Sequence, residues 1–199
     1  MLKSFKTLSV ASIIAGSLAL TACQTPSNTL SFSVPSPTLS QFNLANQSNV
    51  VLNVVTKDER SKPEVSSYVR SNQIQTLSAS PEPVRLFQQI FQQDFNSKGF
   101  RLGTPSASNT NVLINIKHFY AQVDEGNLRY KVSSKIQLEV HIQGSKGNFT
   151  KNIGGTKTYE GAFAASNENI QNVLNDNLKE VAEMIYKDQE LADAIRRYN

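Results

Sequence analysis

The stretch Leu128 to Gln143, LRYKVSSKIQLEVHIQ, alternates between apolar and polar residues for sixteen positions. Leu128, Tyr130, Val132, Ser134, Ile136, Leu138, Val140 and Ile142 form one series. Arg129, Lys131, Ser133, Lys135, Gln137, Glu139, His141 and Gln143 form the other. A period of two predicts a strand with one face packed and one face in water, as antiparallel sheets allow. Ser134 is the one polar residue on the packed side. NVLINIKHFYAQV predicts the strand before it, with Asp124 to Asn127 as the hairpin loop. Beyond it, GSKGN turns the chain into FTKNIGGTKTYEGAFA, where Gly154-Gly155 predicts a bulge. Upstream, NVVLNVVT from Asn49 to Thr56 reads as a buried strand, and NQIQTL around Ile74 as a shorter one.

The pattern changes to a period near 3.6 in SASPEPVRLFQQIFQQDFNSKGF. Val84, Phe87, Phe91 and Phe95 recur every three or four positions, and Leu86 and Ile90 widen the stripe. Ser80 suits the N-cap and Pro81 the first helical position, while Lys98-Gly99 suits the C-terminal end. A ligand groove can also show an aromatic stripe, but at this spacing the stripe reads as core. A second helix starts at Ser166, with Ile170, Val173, Leu174, Leu178, Val181, Met184 and Ile185 on one face. Asp188 caps a last short helix through LADAIRRY. One buried sheet face and two amphipathic helices predict an α+β fold. The expected architecture is a two-layer sandwich: a mostly antiparallel sheet of four to five strands, with two main helices packed on one face.

The N-terminal 22 residues have a separate logic. Lys3 and Lys6 precede an uncharged run of 13 residues, Leu8 to Leu20. A membrane span needs about 20 apolar residues, so this run fits a secretory signal instead. It ends Leu20-Thr21-Ala22-Cys23, which resembles the bacterial lipobox. That resemblance implies cleavage before Cys23, a diacylglycerol on its sulfur and an N-acyl group, palmitate being the usual label for such chains. Gln24, where an aspartate would resemble an inner-membrane retention signal, favours the outer membrane facing the periplasm. Cys23 is the sole cysteine, so an intrachain disulfide is excluded. From Gln24 to Gln47 the chain is uncharged and rich in Ser, Thr, Asn and Pro, which reads as a tether. If all of it were extended it would reach at most about 80 Å. Leu30, Phe32 and Val34 alternate like a short strand laid against a sheet edge. The expected division is a signal over residues 1–22, a lipidated tether over 23–48 and a single domain over 49–199.

Without the signal, 18 basic side chains stand against 16 acidic ones, a charge of +2. That excess is too small to point to nucleic acid. Chemistry-bearing motifs do not emerge. His118 and His141 are the only histidines. With Val123 opposite Leu128, His118 falls opposite Ser133, away from His141, and no metal set converges. There is no G-x-S-x-G elbow, P-loop or G-x-G-x-x-G, so no catalytic residue and no cofactor is expected. Asp58, Glu59, Asp124 and Glu125 read as solvated loop acids. Two features are candidates for binding. Arg129, Lys131 and Lys135 line the open sheet face and suit an anionic partner, although an ordinary soluble face reads the same way. The small residues from Gly161 to Asn167 are better explained by close helix–sheet approach than by binding.

"FYAQVDEGNLRYKVSSKIQLEV" and "YEGAFAASNENI" resemble the YajG family of lipoproteins, as do "SKGFRLG" and Asp58-x-Arg60. The resemblance runs from about Asn49 onward and includes the lipobox. It implies an outer-membrane lipoprotein of a family without an assigned activity. The layout is also similar to small periplasmic lipoproteins that bind envelope proteins, such as activators of peptidoglycan synthases, an analogy of fold alone. The leading expectation is a non-enzymatic lipoprotein, held to the membrane by its lipid, whose domain binds an unidentified envelope protein or glycan. A periplasmic carrier of lipid or another small ligand is the alternative, and a cell-wall enzyme the third.

Overall fold

The computed structural model describes residues 28–38 and 49–199. Cys23, the signal segment and residues 39–48 lie outside the described residues. Among the described residues the elements run β1 (Thr29–Ser31), β2 (Val51–Asp58), β3 (Ser66–Arg70), β4 (Gln73–Ser80), α1 (Pro83–Ser97), β5 (Arg101–Leu102), β6 (Thr110–Glu125), β7 (Arg129–Gly144), β8 (Gly147–Ala162), α2 (Asn167–Lys187) and α3 (Gln189–Tyr198).

β6 is the hub. Along one edge it pairs antiparallel with β7, from Asn111 opposite Gln143 to Glu125 opposite Tyr130. Its other edge is shared. β2 lies parallel to its first half, Leu52 beside Thr110 through Asp58 beside Ile116. β3 lies parallel near its end, Ser66 beside Ala121. β4 pairs antiparallel with β3, β1 parallel with β4, β5 parallel with β2, and β8 antiparallel with β7.

The expected sheet of four to five mostly antiparallel strands is therefore replaced by eight strands in a mixed sheet, curled into a half-barrel. Two physical causes account for the difference. Adjacent strands twist by about 20–25°, and three sixteen-residue strands accumulate that twist along their length instead of lying flat. β2 and β3 both need a partner for their backbone groups, and each takes part of the second edge of β6.

The helices fill the hollow of the curl. α1 packs on β2, β5 and β6, and α2 on β7 and β8. α3 adds Leu191, Ala192 and Ile195 to the core, a third helical contribution beyond the two expected. The aromatic stripe of α1 is core: Phe87, Phe91 and Phe95 are fully buried, and the Phe87 ring meets Phe119 of β6 edge-on at 5.5 Å. α1 begins at Pro83 after Glu82, so Ser80 ends β4 and does not cap the helix. Ser166 caps α2 as expected, accepting from Asn169 N at 3.1 Å. Asp188 Oδ1 accepts from Glu190 N at 2.9 Å at the start of α3.

Apolar series and buried face coincide in β7. Ser134, the exception, receives Asn177 Nδ2 of α2 at 3.0 Å, and the same amide donates to Gly155 O at 3.1 Å. Gly154 and Gly155 form no bulge, since the β7–β8 register is continuous. They are required by close approach: a Cβ on Gly154 would stand 2.3 Å from Ile136 O, and one on Gly155 2.7 Å from Asn177 Oδ1. The bulge falls in β6 at Lys117 instead.

Residues 28–38 belong to the folded body. Thr29 is level with Ser78, Leu30 and Phe32 are buried, and the Tyr186 hydroxyl donates to Pro35 O. The alternation of Leu30, Phe32 and Val34 marked this strand. At the other end of the core, Lys98 (C-cap of α1) is buried and donates to Ile185 O at 3.1 Å and Asp188 O at 2.6 Å. It meets Asp94 Oδ1 at 2.7 Å. One ammonium thus ties the end of α1 to the α2–α3 junction.

Candidate functional site

The helix-free face of β6, β7 and β8 carries the polar series of β7. Arg129, Lys131 and Lys135 are exposed on it, as their alternation predicts. Their neighbours divide them. Lys131 is flanked by Asp124 of β6 and Glu160 of β8, so it sits among compensating acids. Arg129 lies at the strand end beside Ala162. Lys135 lies between Tyr120 and Thr156, with no acid at either cross-strand position.

The surface is hollowed on both sides of Lys135. On the β6 side, the bulge at Lys117 and the loop after β2 enclose a recess of about 240 Å³, lined by Arg60, Lys62, Glu64, Lys117, His118 and Tyr120, among others. On the β8 side, the missing side chain of Gly154, opposite Gln137, leaves a shallow depression bordered by Lys135, Gln137 and Thr156. His118 pairs with Gln137, four positions from the Ser133 that the hairpin reading put opposite it. Its pKa is lowered by burial and by the nearby Lys135 charge. His118, Lys135 and Gln137 therefore meet at the centre of the face, a grouping the alternation alone did not reveal.

Arg60 shapes this recess without being available to a ligand. Its Nε and Nη2 grip both oxygens of Asp58 at 2.9 and 2.8 Å. Nη1 donates to Glu64 O at 3.2 Å and Phe119 O at 3.3 Å, and Nη2 to Pro63 O at 3.1 Å. Its side chain is 6 % exposed. Asp58-x-Arg60 is thus a staple that folds the β2–β3 connection onto the β6 bulge. Partial burial pushes the Asp58 carboxyl up, but the hydrogen bonds and charge of Arg60 together outweigh it and hold the group below its usual range.

A line of charges crosses the face toward the β7–β8 turn. Lys57 reaches Glu59 at 3.0 Å, Glu59 reaches Lys117 at 2.6 Å, and Lys117 reaches Glu139 at 3.4 Å. His141 Nε2 is 2.8 Å from Glu139, and its Nδ1 is 3.0 Å from the Thr150 hydroxyl. Hydrogen bonding to His141, with the Lys117 charge, holds the Glu139 carboxyl below its ordinary value. Hydroxyl, imidazole and carboxylate stand here in the order of a nucleophile chain. They lie flat on an open strand face, however, outside the recesses described above, and their alternating charges make a cross-strand ladder.

Among the described residues, no group of three or more His, Cys, Asp or Glu is placed to hold a metal ion. No helix among them is long and apolar enough to cross a membrane. Gly161 to Asn167 forms the β8–α2 connection. A Cβ on Gly161 would collide with the Tyr130 ring at 2.4 Å, so the glycine there answers its cross-strand neighbour on β7.

Residues 37–196 match the family described as uncharacterized lipoprotein. The chain is 28 % identical over 179 residues to the uncharacterized lipoprotein YajG of Escherichia coli K12, covering 89 % of this chain and 91 % of that protein. The same figures hold for the YajG of Escherichia coli O6:H1. A crystal structure of a Xanthomonas campestris protein superimposes with a TM-score of 0.53 at 11 % identity, covering 79 % of this chain and 91 % of that one. At that identity the likeness is one of fold.

Proposed function

Because the chain belongs to the uncharacterized lipoprotein family, we propose that it is an acylated outer-membrane lipoprotein whose domain docks another envelope component without catalysing a reaction. The Leu20-Thr21-Ala22-Cys23 ending supports the anchor, and Gln24 supports the outer membrane, with the domain on the periplasmic side. The observation that carries the docking reading is the hollowed centre of the open sheet face. His118, Lys135 and Gln137 meet there between two depressions, while the opposite face is covered by helices. Lys62 and Lys135 at the rims suit an anionic group on a glycan or on an acidic protein surface.

A small-ligand carrier needs an apolar cavity between helices and sheet. That layer is occupied by Phe87, Phe91, Phe95, Phe119, Ile114 and their buried neighbours. A cell-wall enzyme needs a cleft that sets two carboxyl pKa values apart or activates a nucleophile. Glu139 is instead held charged beside His141 and Lys117 on an open face.

The test is photo-crosslinking in living cells. A crosslinking side chain is placed at Lys131 or Gln137 on the open face, and at Lys179 on the exposed side of α2. Docking predicts one common envelope partner from Lys131 and Gln137, absent from Lys179. Equal products from all three sites, or none from the open face under several growth conditions, would contradict the reading.

A further inference from the structure

Strand register brings three chain reversals to one end of the sheet. Ser67 is level with Gln122 in the parallel β3–β6 pair. The β3–β4 turn at Ser71 and Asn72 is therefore level with the β6–β7 loop at Gly126. Phe163 N donates to Leu128 O at 3.0 Å, which brings the β8–α2 connection to the same loop. Arg70 Nη2 donates to Ala165 O at 2.5 Å and links the β3–β4 turn to the β8–α2 connection.

This end displays Val69, Ile74, Leu128 and Phe163, exposed by 59, 75, 73 and 76 %. Val69 and Ile74 are cross-strand partners. Single exposed apolar residues need no explanation, but four on adjoining tips form a patch. Phe163 carries a second sign. Its φ is +68°, a left-handed conformation that is unfavourable for a bulky side chain. The strain is kept at a residue whose ring contributes little to the core, which points to a role outside the fold.

The start of the described chain faces the same way. β1 runs parallel to β4, which begins at the β3–β4 tip, and Asn28 is level with Leu77. Four residues of strand, about 13 Å, separate that level from Gln73. Five peptide steps join Cys23 to Asn28, a reach of at most about 18 Å. The acyl-bearing residue can reach the plane of the tips but cannot lie far beyond it.

We propose that this apolar end is a membrane-contact surface. Val69, Ile74, Leu128 and Phe163 rest in the lipid interface of the bilayer that holds Cys23, and the sheet stands upright with the Ser145–Lys146 turn directed away. The proposal rests on the lipid anchor proposed above. Charge contributes little to it. Arg70, Arg129 and Lys131 at this end are offset by Asp124, Glu125, Glu160 and Glu168, so contact depends on the apolar tips and not on anionic headgroups.

The test uses the full acylated protein in phosphatidylcholine vesicles that carry a headgroup nitroxide. A fluorophore is attached at Asn127→Cys or at Ser145→Cys. Acylation occupies the Cys23 sulfur, so the introduced thiol is the sole one. β7 spans sixteen residues, about 50 Å if straight, so the two sites report opposite ends. Strong quenching is expected at position 127 and none at 145, with no change on adding phosphatidylglycerol. The Leu128→Ser/Phe163→Ser pair, at exposed positions, should abolish quenching at 127 while the protein stays bound to vesicles and keeps its circular dichroism. Absence of quenching at 127 in acylated, vesicle-bound protein would overturn the proposal. So would energy transfer between labelled copies in its place, which would make a second copy the occupant. A chain without acyl groups by intact mass would overturn the anchor itself, an outcome read independently of quenching.

Discussion

Asp94 sits on the buried face of α1 with no exposed surface. Its single close cation is the Lys98 ammonium, 2.7 Å away and equally enclosed. Loss of hydration pushes the carboxyl up to about 7; Lys98 opposes the shift and the Asp188 charge adds to it. In the unfolded chain the value is the ordinary 3.8. The folded state therefore holds a proton that the unfolded state releases between those values. The associated stability is fully present below about pH 3.8 and is lost as pH rises through about 7. A shift of roughly three units at about 1.4 kcal/mol each sets a ceiling of about 4 kcal/mol. Asp94→Asn keeps the shape and cannot titrate. Urea unfolding followed by circular dichroism from pH 5 to 8, a window that covers about two of those units, should show the wild type losing about 2–3 kcal/mol relative to the variant. His118 works in the opposite direction, because its lowered pKa favours the neutral form in the fold. It is common to both proteins and cancels in the difference. A difference that is flat over this range would refute the reasoning. So would one that grows in favour of the wild type at high pH, since Lys98 would then be holding the carboxylate charged.

Two further substitutions test the account of the open face. Gly154→Ala forces a methyl against Ile136 O at 2.3 Å; backbone cannot yield as a side-chain tip does, so a loss of about 1–3 kcal/mol is expected in the same unfolding assay. Wild-type stability in this variant would show that β8 is free to shift. Arg60→Lys keeps the charge but loses the paired grip on Asp58, at a cost of about 1.5–3 kcal/mol. Amide exchange at Ala121, whose N–H donates to Val65 O at 2.8 Å beside the stapled connection, should accelerate; unchanged exchange would remove Arg60 from its structural role.

Local pattern carried the long elements. In β7 the alternation identified the buried face, and even its exception, Ser134, is answered by Asn177 on the helix that covers it. α1 and α2 were legible because their stripes are long. Pairing was not, because a parallel partner leaves no local mark. NVVLNVVT reads the same whether β6 lies beside it in one direction or the other. β3, SSYVR, is short and polar and sits in a stretch of loop composition, so it went unseen, and the mixed topology with it. Helix α1 offered two prolines, Pro81 and Pro83, and the first-turn reading fits either; the chain uses the second. On the open face, exposure of Arg129, Lys131 and Lys135 was legible, but not the acids beside Lys131. Those follow from a register in which Val123 meets Val132, four residues from the pairing with Leu128. The Lys98 junction escaped notice because Lys98-Gly99 is also what an ordinary helix end looks like.

The central claim is that Cys23 holds the folded domain at a membrane through acyl chains. Cells making the wild type or Cys23→Ala are labelled with palmitate, and their inner-membrane, outer-membrane and soluble fractions are separated. The described residues begin five positions beyond Cys23, and they supply the core among themselves. The mutant is therefore expected to be folded, unlabelled and released from the outer-membrane fraction, where the labelled wild type remains; stable attachment takes more than one acyl chain, and a triacylated cysteine supplies them. Label on wild type in the inner membrane would keep the anchor and reject the role given to Gln24. A wild type without label, or a mutant that stays with the outer membrane, would contradict the account.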